Sequence, residues 1–166
     1  MEDQSGNGYD GVISGNPSLT VDTERGDVMT FDGDDQINVI NGTTGLAEEV
    51  TFTAWVNLDA GQQEQVFLSI GDEFQVMLDR TSASYSMAIM ASNFTSNSLS
   101  SAHNIAGEGW NHIAATFNDV SKELYLYLNG ELIQSSTFSF SDIDWATATS
   151  LNITIGAMSD GSNAFV

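Results

Sequence analysis

Short runs of β-branched and aromatic residues, separated by turn residues, recur along the whole of this sequence. No stretch keeps apolar residues at positions i, i+3, i+4 and i+7 through three helical turns, so no helix is predicted. Residues 50–58 instead alternate, with apolar residues at the even positions and Thr51, Thr53, Trp55 and Asn57 between them. Many short strands at this spacing predict an all-β sandwich or barrel. The predicted strands cover residues 28–31, 36–40, 50–58, 65–70, 74–78, 85–91, 112–117, 124–128, 132–138 and 151–155.

Asn129 and Gly130 predict the clearest hairpin. Both residues tolerate a positive φ, so we expect a type I′ turn between residues 124–128 and 132–138. Residues 124–128 place leucines on one face and tyrosines on the other, and two apolar faces are typical of an interior strand.

We expect a single domain over residues 1–166, because one domain usually has about 100–200 residues. The Gly- and Asp-rich first 27 residues predict a wrapping segment without long strands, and the Ser- and Asn-rich residues 92–101 predict a loop or an edge hairpin. Residues 1–8 are too polar for a signal peptide, and no apolar run reaches transmembrane length. If the protein is exported, we therefore expect this sequence to be a mature fragment.

The charge balance is strongly acidic. The sequence has 23 Asp and Glu against 3 Lys and Arg, a formal net charge of −20. Such a surface repels nucleic-acid phosphates, so we expect no nucleic-acid partner, and it disfavours binding to an anionic membrane surface for the same reason. The carboxylates can bind calcium, keep the protein soluble in salt, or form an ordinary solvated surface. The absence of cysteine excludes disulfides and a thiolate zinc site.

Six segments, in order along the chain, resemble laminin-G-like jelly-roll domains of the concanavalin-A-like lectin/glucanase superfamily. They are D-Q-S-G-N-G-Y-D-G at residues 3–11, M-T-F-D-G-D-D at 29–35, V-T-F-T-A-W-V at 50–56, W-N-H-I-A-A-T-F at 110–117, L-Y-L-Y-L-N-G at 124–130 and L-N-I-T-I-G at 151–156. The resemblance implies a two-sheet antiparallel jelly-roll sandwich. The family usually closes with a strand of the pattern G-x-I-D-x-V-x-I-Y, which this sequence lacks. Either the sequence stops before that strand, or another chain supplies it by strand addition.

Trp55, Trp110 and His112 lie in the most recognisable of these segments. Their expected role is structural, with both indole rings buried and the imidazole hydrogen-bonded to the backbone. His112 has no cysteine partner and no serine in a nucleophile-elbow context, so the sequence gives it no catalytic role.

The carboxylates do not form a catalytic pair in the sequence. Glycosidases need two carboxylates about 5–9.5 Å apart across the scissile bond, and glucanases with this architecture place them close together on one strand. No such string occurs, and Glu73 and Asp79 are six residues apart. No Gly-Lys pair supports phosphate chemistry either. We expect the chain not to be an enzyme.

Calcium is the expected cofactor, in a structural role. Asp3, Asn7, Asp32 and Asp34 lie in two Gly-rich loops that the family pattern places near each other. Carboxylates and backbone carbonyls are the ligands that calcium prefers. The alternative is that Asp32 only shapes a turn and Asp3 only caps one.

A sugar site needs an exposed aromatic ring beside hydrogen-bonding groups. Outside the family segments, the candidates are Tyr85, Phe94 and Trp145. The first functional hypothesis is an extracellular or cell-surface, non-catalytic module that binds a glycan or a cell-surface protein. The second is a structural spacer or filament subunit that self-associates through sheet edges. An exposed aromatic site favours the first, and contacts between identical chains favour the second.

Overall fold

A computed structural model describes residues 1–40, 49–59, 64–71, 74–81, 84–91, 98–137, 152–158, 160–162 and 164–165. These residues form thirteen strands and no helix, as the alternating sequence pattern predicts. The strands are β1 (Gly11–Ser14), β2 (Ser18–Asp22), β3 (Gly26–Thr30), β4 (Gln36–Val39), β5 (Glu49–Asn57), β6 (Gln65–Ile70), β7 (Phe74–Thr81), β8 (Ser84–Ala91), β9 (Ser98–Ser101), β10 (Trp110–Asn118), β11 (Glu123–Leu128), β12 (Glu131–Thr137) and β13 (Ile153–Ile155).

The strands form two large sheets and one small hairpin. The first sheet has seven strands in the order β1-β4-β13-β6-β7-β8-β9, and the second has four in the order β12-β11-β10-β5. Strands β2 and β3 pair only with each other. Every pairing between these strands is antiparallel. The prediction of an all-β, two-sheet antiparallel sandwich is confirmed.

The hydrophobic core lies between the two large sheets. Alternate residues of β10 and β11 are buried, and all six residues of β6 are buried. Phe74 of β7 and Phe117 of β10 pack across the interior with ring centroids 6.2 Å apart. Because β7 and β10 belong to different sheets, this contact holds the two sheets together. Burial of each ring stabilises the fold by about 1.5–3 kcal/mol.

The hairpin between β11 and β12 has the turn that the sequence predicts. Asn129 and Gly130 have φ values of 52° and 86°, as a type I′ turn requires. Asn129 also receives a hydrogen bond on its Oδ1 from the backbone N–H of His112, 2.9 Å away. Strand β11 lies between β10 and β12, which confirms the prediction of an interior strand.

Three strands are additional to the predicted strand ranges, although short strands fit the expected wrapping segment and an edge strand fits the expected edge hairpin. Strands β1 and β2 are short pieces of the Gly-rich first segment, and β9 is an edge strand within residues 92–101. In β2 the apolar residues Leu19 and Val21 are 70% and 78% exposed, so this strand has little core to mark it. In the described part of the chain, no helix is long and apolar enough to cross a membrane.

Candidate functional site

The outer face of the four-stranded sheet carries a row of aromatic side chains. Because the even residues of β5 and the odd residues of β10 point into the core, the others point outward. Strand register then places His112 opposite Trp55, and Ala114 opposite both Thr53 and Tyr127. We call this surface the aromatic face and define it by Trp55, Trp110, His112, Tyr125 and Tyr127.

Trp55 is the most exposed ring on this face. Its side chain is 52% exposed, so the prediction that it is buried is wrong. The physical reason is register, because Phe52 and Val56 take the inward positions of β5 and leave Trp55 on the outer side. The Trp55 and His112 rings meet edge to face with centroids 5.2 Å apart.

His112 and Trp110 also differ from the sequence prediction. Both residues are partly exposed. The His112 ring bonds a side chain rather than the backbone, with its Nε2 2.7 Å from the Thr53 hydroxyl. An imidazole nitrogen and a hydroxyl group therefore lie together beside the exposed Trp55 ring. Such a group of donors and acceptors next to an aromatic surface is the combination that a sugar requires.

Arg25 reaches this face from the turn between β2 and β3. Its guanidinium lies 4.7 Å from the ring centroid of Trp55 and 4.9 Å from that of Trp110, close enough for cation–π attraction. The same group forms ion pairs with Asp22 at 3.2 Å and Glu24 at 3.3 Å. The backbone N–H of Glu24 and the Arg25 groups hold the pKa of Asp22 below its usual range. No local sequence pattern singles out Arg25, because the two tryptophans that it contacts are 30 and 85 residues away along the chain.

Tyr125 and Tyr127 extend the face onto β11. Their rings are stacked with centroids 6.5 Å apart and an angle of 25° between planes. The Tyr125 hydroxyl donates a hydrogen bond to the Glu123 carboxylate, which raises the pKa of Tyr125 together with the negative charge of Glu123. Tyr125 therefore keeps its proton at neutral pH and beyond.

A groove lies beside the aromatic face, between β3 and β5. It has a volume of about 460 Å³ and an apolar lining from both strands and from the opposite sheet. Arg25, Trp55 and Trp110 line it as well, so the groove and the aromatic face share a border. The lining also includes Met29, Phe52, Val56, Phe67 and Phe165.

Three carboxylates meet in the loop between β3 and β4. Oxygens of Asp32, Asp34 and Asp35 all lie within 4.8 Å of one another. Asp35 is buried and accepts hydrogen bonds from the backbone N–H groups of Asn16 at 2.6 Å and Asp32 at 3.0 Å. Asp32 and Asp34 are exposed. The structure thus brings together Asp32 and Asp34, two of the four predicted metal ligands. It adds Asp35, which is adjacent to Asp34 in the sequence and which holds the loop through its hydrogen bonds to the backbone.

The other two predicted ligands, Asp3 and Asn7, belong to an N-terminal turn. The Asp3 carboxylate accepts hydrogen bonds from the Ser5 backbone and hydroxyl, each 2.8 Å away, and from the Tyr9 N–H at 3.0 Å. These bonds, led by the one from the Ser5 N–H, lower the pKa of Asp3 to about 2. The Asn7 amide donates to the Ser5 hydroxyl at 3.0 Å. Asp3 is not part of the carboxylate cluster in the β3–β4 loop.

The sequence predicts Tyr85, Phe94 and Trp145 as glycan-binding residues, and the structure describes the backbone of Tyr85. Tyr85 is in β8 of the seven-stranded sheet, where its backbone pairs with Arg80. Phe94 and Trp145 fall outside the described residues. The aromatic face, which sequence reasoning missed as a site, is marked in the sequence only by Thr51, Thr53 and Trp55 sharing the polar side of an alternating strand.

The fold places the chain in the class of all-β jelly-roll domains, with an exposed aromatic face on one sheet and no helix in the described residues. A family model described as concanavalin A-like lectin/glucanases superfamily, of laminin-G type, matches residues 31–166. The chain belongs to that family. The comparison with curated proteins gives no match.

Solved structures with the same fold include two domains that were solved with a sugar bound. Domain 4 of AbnA, a GH43 extracellular arabinanase from Geobacillus stearothermophilus solved in complex with arabinotriose, is 16% identical with a TM-score of 0.72. The match covers 95% of this chain and 78% of that one. The CBM40 module of the Ruminococcus gnavus IT-sialidase, bound to α2,3-sialyllactose, is 20% identical with a TM-score of 0.54 and covers 70% and 68%. At these identities, the likeness establishes the fold.

Proposed function

We propose that this chain is a non-catalytic carbohydrate-binding module that binds glycans on the aromatic face. The observation that carries the proposal is the 52% exposure of Trp55 beside the His112 ring and the Thr53 hydroxyl. An exposed indole offers a flat apolar surface for the C–H face of a sugar, and the neighbouring polar groups offer partners for its hydroxyls.

The width of the face suits a short oligosaccharide. Strands in a sheet lie about 4.8 Å apart, so β5, β10 and β11 carry Trp55, His112 and the tyrosines across roughly 10 Å. The rings of Tyr125 and Tyr127 form a second stacking surface at the far side. A glycan lying across the strands would meet one aromatic surface at each end and the His112–Thr53 pair between them.

Charge favours a neutral glycan over an anionic one. The chain carries a net charge of −20, and Glu49 and Glu123 border the face at one end. Arg25 is the cation beside Trp55, but Asp22 and Glu24 already pair with it. A sulfated or phosphorylated sugar would therefore meet net repulsion.

The relatives support the sugar-binding class. The arabinanase domain is solved with arabinotriose and the CBM40 module with sialyllactose, and both share the sandwich of this chain. We propose an extracellular or cell-surface location on the same ground, because the arabinanase is described as extracellular.

We also propose that calcium binds the loop between β3 and β4. Asp32 and Asp34 would supply exposed carboxylate oxygens, and Asp35 would hold the loop through its bonds to Asn16 and Asp32. Hard oxygen donors at this density fit calcium chemistry. The ion would screen repulsion among three adjacent carboxylates and stiffen the loop. The fuller set with Asp3 and Asn7 remains a prediction.

A glycan array followed by calorimetry tests the proposed function. The purified chain is first screened against neutral arabino-, xylo-, cello- and galacto-oligosaccharides, together with sialyllactose. For the best ligand, Trp55→Ala should weaken binding at least tenfold, because it removes the exposed stacking ring. Val21→Ala truncates an apolar side chain of the β2–β3 hairpin that is 78% exposed, more than Trp55, and is the control variant, with unchanged affinity.

Two results would count against the proposal. One is the absence of binding to every glycan on the array, and the other is equal affinity in the wild type and Trp55→Ala. Release of reducing sugar that disappears in Glu49→Gln or Glu123→Gln would contradict the non-catalytic part. Those two carboxylates border the face and accept hydrogen bonds from Asn118 and Ser121.

A further inference from the structure

The side chain of Asn129 continues the pairing between β10 and β11 past the end of β11. The last registered pair is Ile113 with Leu128, so Asn129 comes next to His112. Its backbone N–H donates to the His112 carbonyl oxygen at 2.7 Å. With a φ of 52°, however, Asn129 begins the turn, so the main chain leaves β10 at this residue. The His112 N–H donates instead to the Oδ1 of the Asn129 side chain at 2.9 Å.

A second hydrogen bond of the same amide reaches Asn111. The Asn129 Nδ2 donates to the Asn111 Oδ1 at 2.9 Å, and the Asn111 Nδ2 donates to the Gly109 carbonyl oxygen at 3.1 Å. Asn111 is only 7% exposed, and a buried polar group that loses its partner costs more free energy than the bond itself contributes. The two amides therefore fix residues 109–112, the part of the chain that carries Trp110 and His112.

These bonds determine how His112 meets Trp55. The N–H and C=O of one residue in an antiparallel strand point to the same side, and both groups of His112 point to Asn129. His112 and Trp55, which are opposite each other in the register, are therefore a non-hydrogen-bonded pair, the closer of the two kinds. Their ring centroids are 5.2 Å apart, and the imidazole Nε2 is 2.7 Å from the Thr53 hydroxyl. The position of the imidazole thus depends on Asn129 rather than on a backbone bond to β5.

We propose that Asn129 is a positioning residue of the glycan site, because its side-chain amide sets the place of His112 and Trp110 on the aromatic face. This inference rests on the proposed function, since it names a residue that acts through the glycan-binding rings. Position 129 then has two requirements, a positive φ for the turn and a side-chain oxygen for the His112 N–H. Glycine meets the first alone, aspartate meets both, and asparagine also donates to Asn111.

Two substitutions of Asn129 separate these requirements. Asn129→Gly keeps the turn and removes the amide, whereas Asn129→Asp keeps both the turn and the acceptor for the His112 N–H. The probes are arabinotriose, xylotriose and cellotriose, measured by calorimetry, and the sugar that the wild type binds most tightly is used for every variant. We expect Asn129→Gly to weaken binding at least about fivefold, as the loss of one hydrogen bond does, and Asn129→Asp to bind within about twofold of the wild type.

Gly130→Ala is the matched control. It strains the same turn, because Gly130 has a φ of 86°, but it keeps the Asn129 amide and places its Cβ in open space. We expect it to lower stability and to leave glycan affinity unchanged.

NMR spectra of the free chain report on the positioning itself. In the wild type, the His112 ring should give nuclear Overhauser signals to the Trp55 indole, and the His112 amide proton should exchange slowly. We expect both signatures to weaken in Asn129→Gly and to persist in Asn129→Asp and Gly130→Ala. A general loss of stability would not produce this pattern, because Gly130→Ala destabilises the turn as well.

The same measurements can overturn the inference. It fails if Asn129→Gly binds the sugar like the wild type while Trp55→Ala does not, and the proposed function then stands. It also fails if Asn129→Gly loses affinity with unchanged ring signals, because Asn129 would then contact the glycan directly. Equal losses of affinity in Asn129→Gly and Gly130→Ala would assign the effect to the stability of the turn. A wild type that binds none of the three sugars contradicts the proposed function instead, and the ring signals of the free chain then support or overturn the positioning of His112 by themselves.

Discussion

Arg25 should anchor the β2–β3 hairpin to the four-stranded sheet through the two indole rings that it contacts. The guanidinium lies 4.7 Å from Trp55 and 4.9 Å from Trp110, and its side chain is 20% exposed. A cation–π contact contributes about 0.5–1 kcal/mol at exposed sites and about 2 kcal/mol when desolvated. The ion pair with Glu24 reaches a carboxylate that is 78% exposed and contributes at most about 1 kcal/mol, whereas the Asp22 carboxylate is 22% exposed.

A double-mutant cycle isolates the cation–π contribution. Arg25→Met keeps the aliphatic stem and removes the charge, Trp55→Leu removes the ring, and the cycle yields their coupling energy. At this partial burial we expect a coupling of about 1 kcal/mol in the free energy of unfolding, measured by urea denaturation. We expect a second cycle with Trp110→Leu to give a similar value, because the two distances are nearly equal.

The matched comparison for this prediction is the ion pair with Asp22. A cycle between Arg25→Met and Asp22→Asn should give a coupling that falls as salt is raised, because exposed charges are screened. The coupling to Trp55 should depend less on salt, because the contact is short and partly shielded from water. A coupling to either tryptophan that is zero within error would refute the anchoring role of Arg25.

Three further outcomes follow from the structure. In Gly156→Ala, the new Cβ would lie 2.7 Å from the Phe31 ring in a backbone with a φ of 86°, so we expect the free energy of unfolding in urea to fall by about 2–4 kcal/mol. Gly130→Ala is the control, because Gly130 has a similar φ and open space around it, and we expect a loss of about 1 kcal/mol. Equal losses in the two variants would contradict the steric clash with Phe31. Hydrogen bonds lower the pKa of Asp3 from its ordinary 3.8 to about 2. The ionised Asp3 therefore stabilises the fold above pH 4, and this contribution is lost as the pH falls towards 2. An NMR titration with an Asp3 midpoint near 4 would refute this. Calcium at 100 times its Kd should add about 2.7 kcal/mol to the stability of the chain, a gain visible as a higher Tm and removed by Asp32→Ala; the same Tm in calcium and in chelator would exclude the site.

The architecture could be predicted from the sequence because the local patterns of strands and turns agree with the sandwich that the whole chain forms. The alternation of residues 50–58 fixes which side of β5 is buried, and Asn129-Gly130 fixes the hairpin that follows β11. Strands β1 and β2 escaped prediction for the opposite reason. Their apolar residues, such as Val12 and Val21, are exposed, so no buried face imposes a clear pattern on the sequence.

The candidate site was less predictable, because it depends on register between strands distant in the sequence. Nothing local indicates that His112 lies opposite Trp55, or that Arg25 reaches both indole rings. The prediction that Trp55 is buried assumed that a large ring in a family segment belongs to the core. Its place on the same side of the strand as Thr51 and Thr53 is the sequence feature that indicates the outer face instead.

The central claim is that glycans bind on the aromatic face, and the indole resonances of the tryptophans test it directly. The chain has three tryptophans, so its NMR spectrum should contain three indole N–H signals, which single substitutions assign. We would titrate the chain with arabinotriose, xylotriose, cellotriose and sialyllactose. We predict that at least one neutral trisaccharide shifts the Trp55 signal saturably, together with the ring signals of His112. Saturable binding that shifts only the Trp145 signal, or no saturable shift with any of the four sugars, would contradict it.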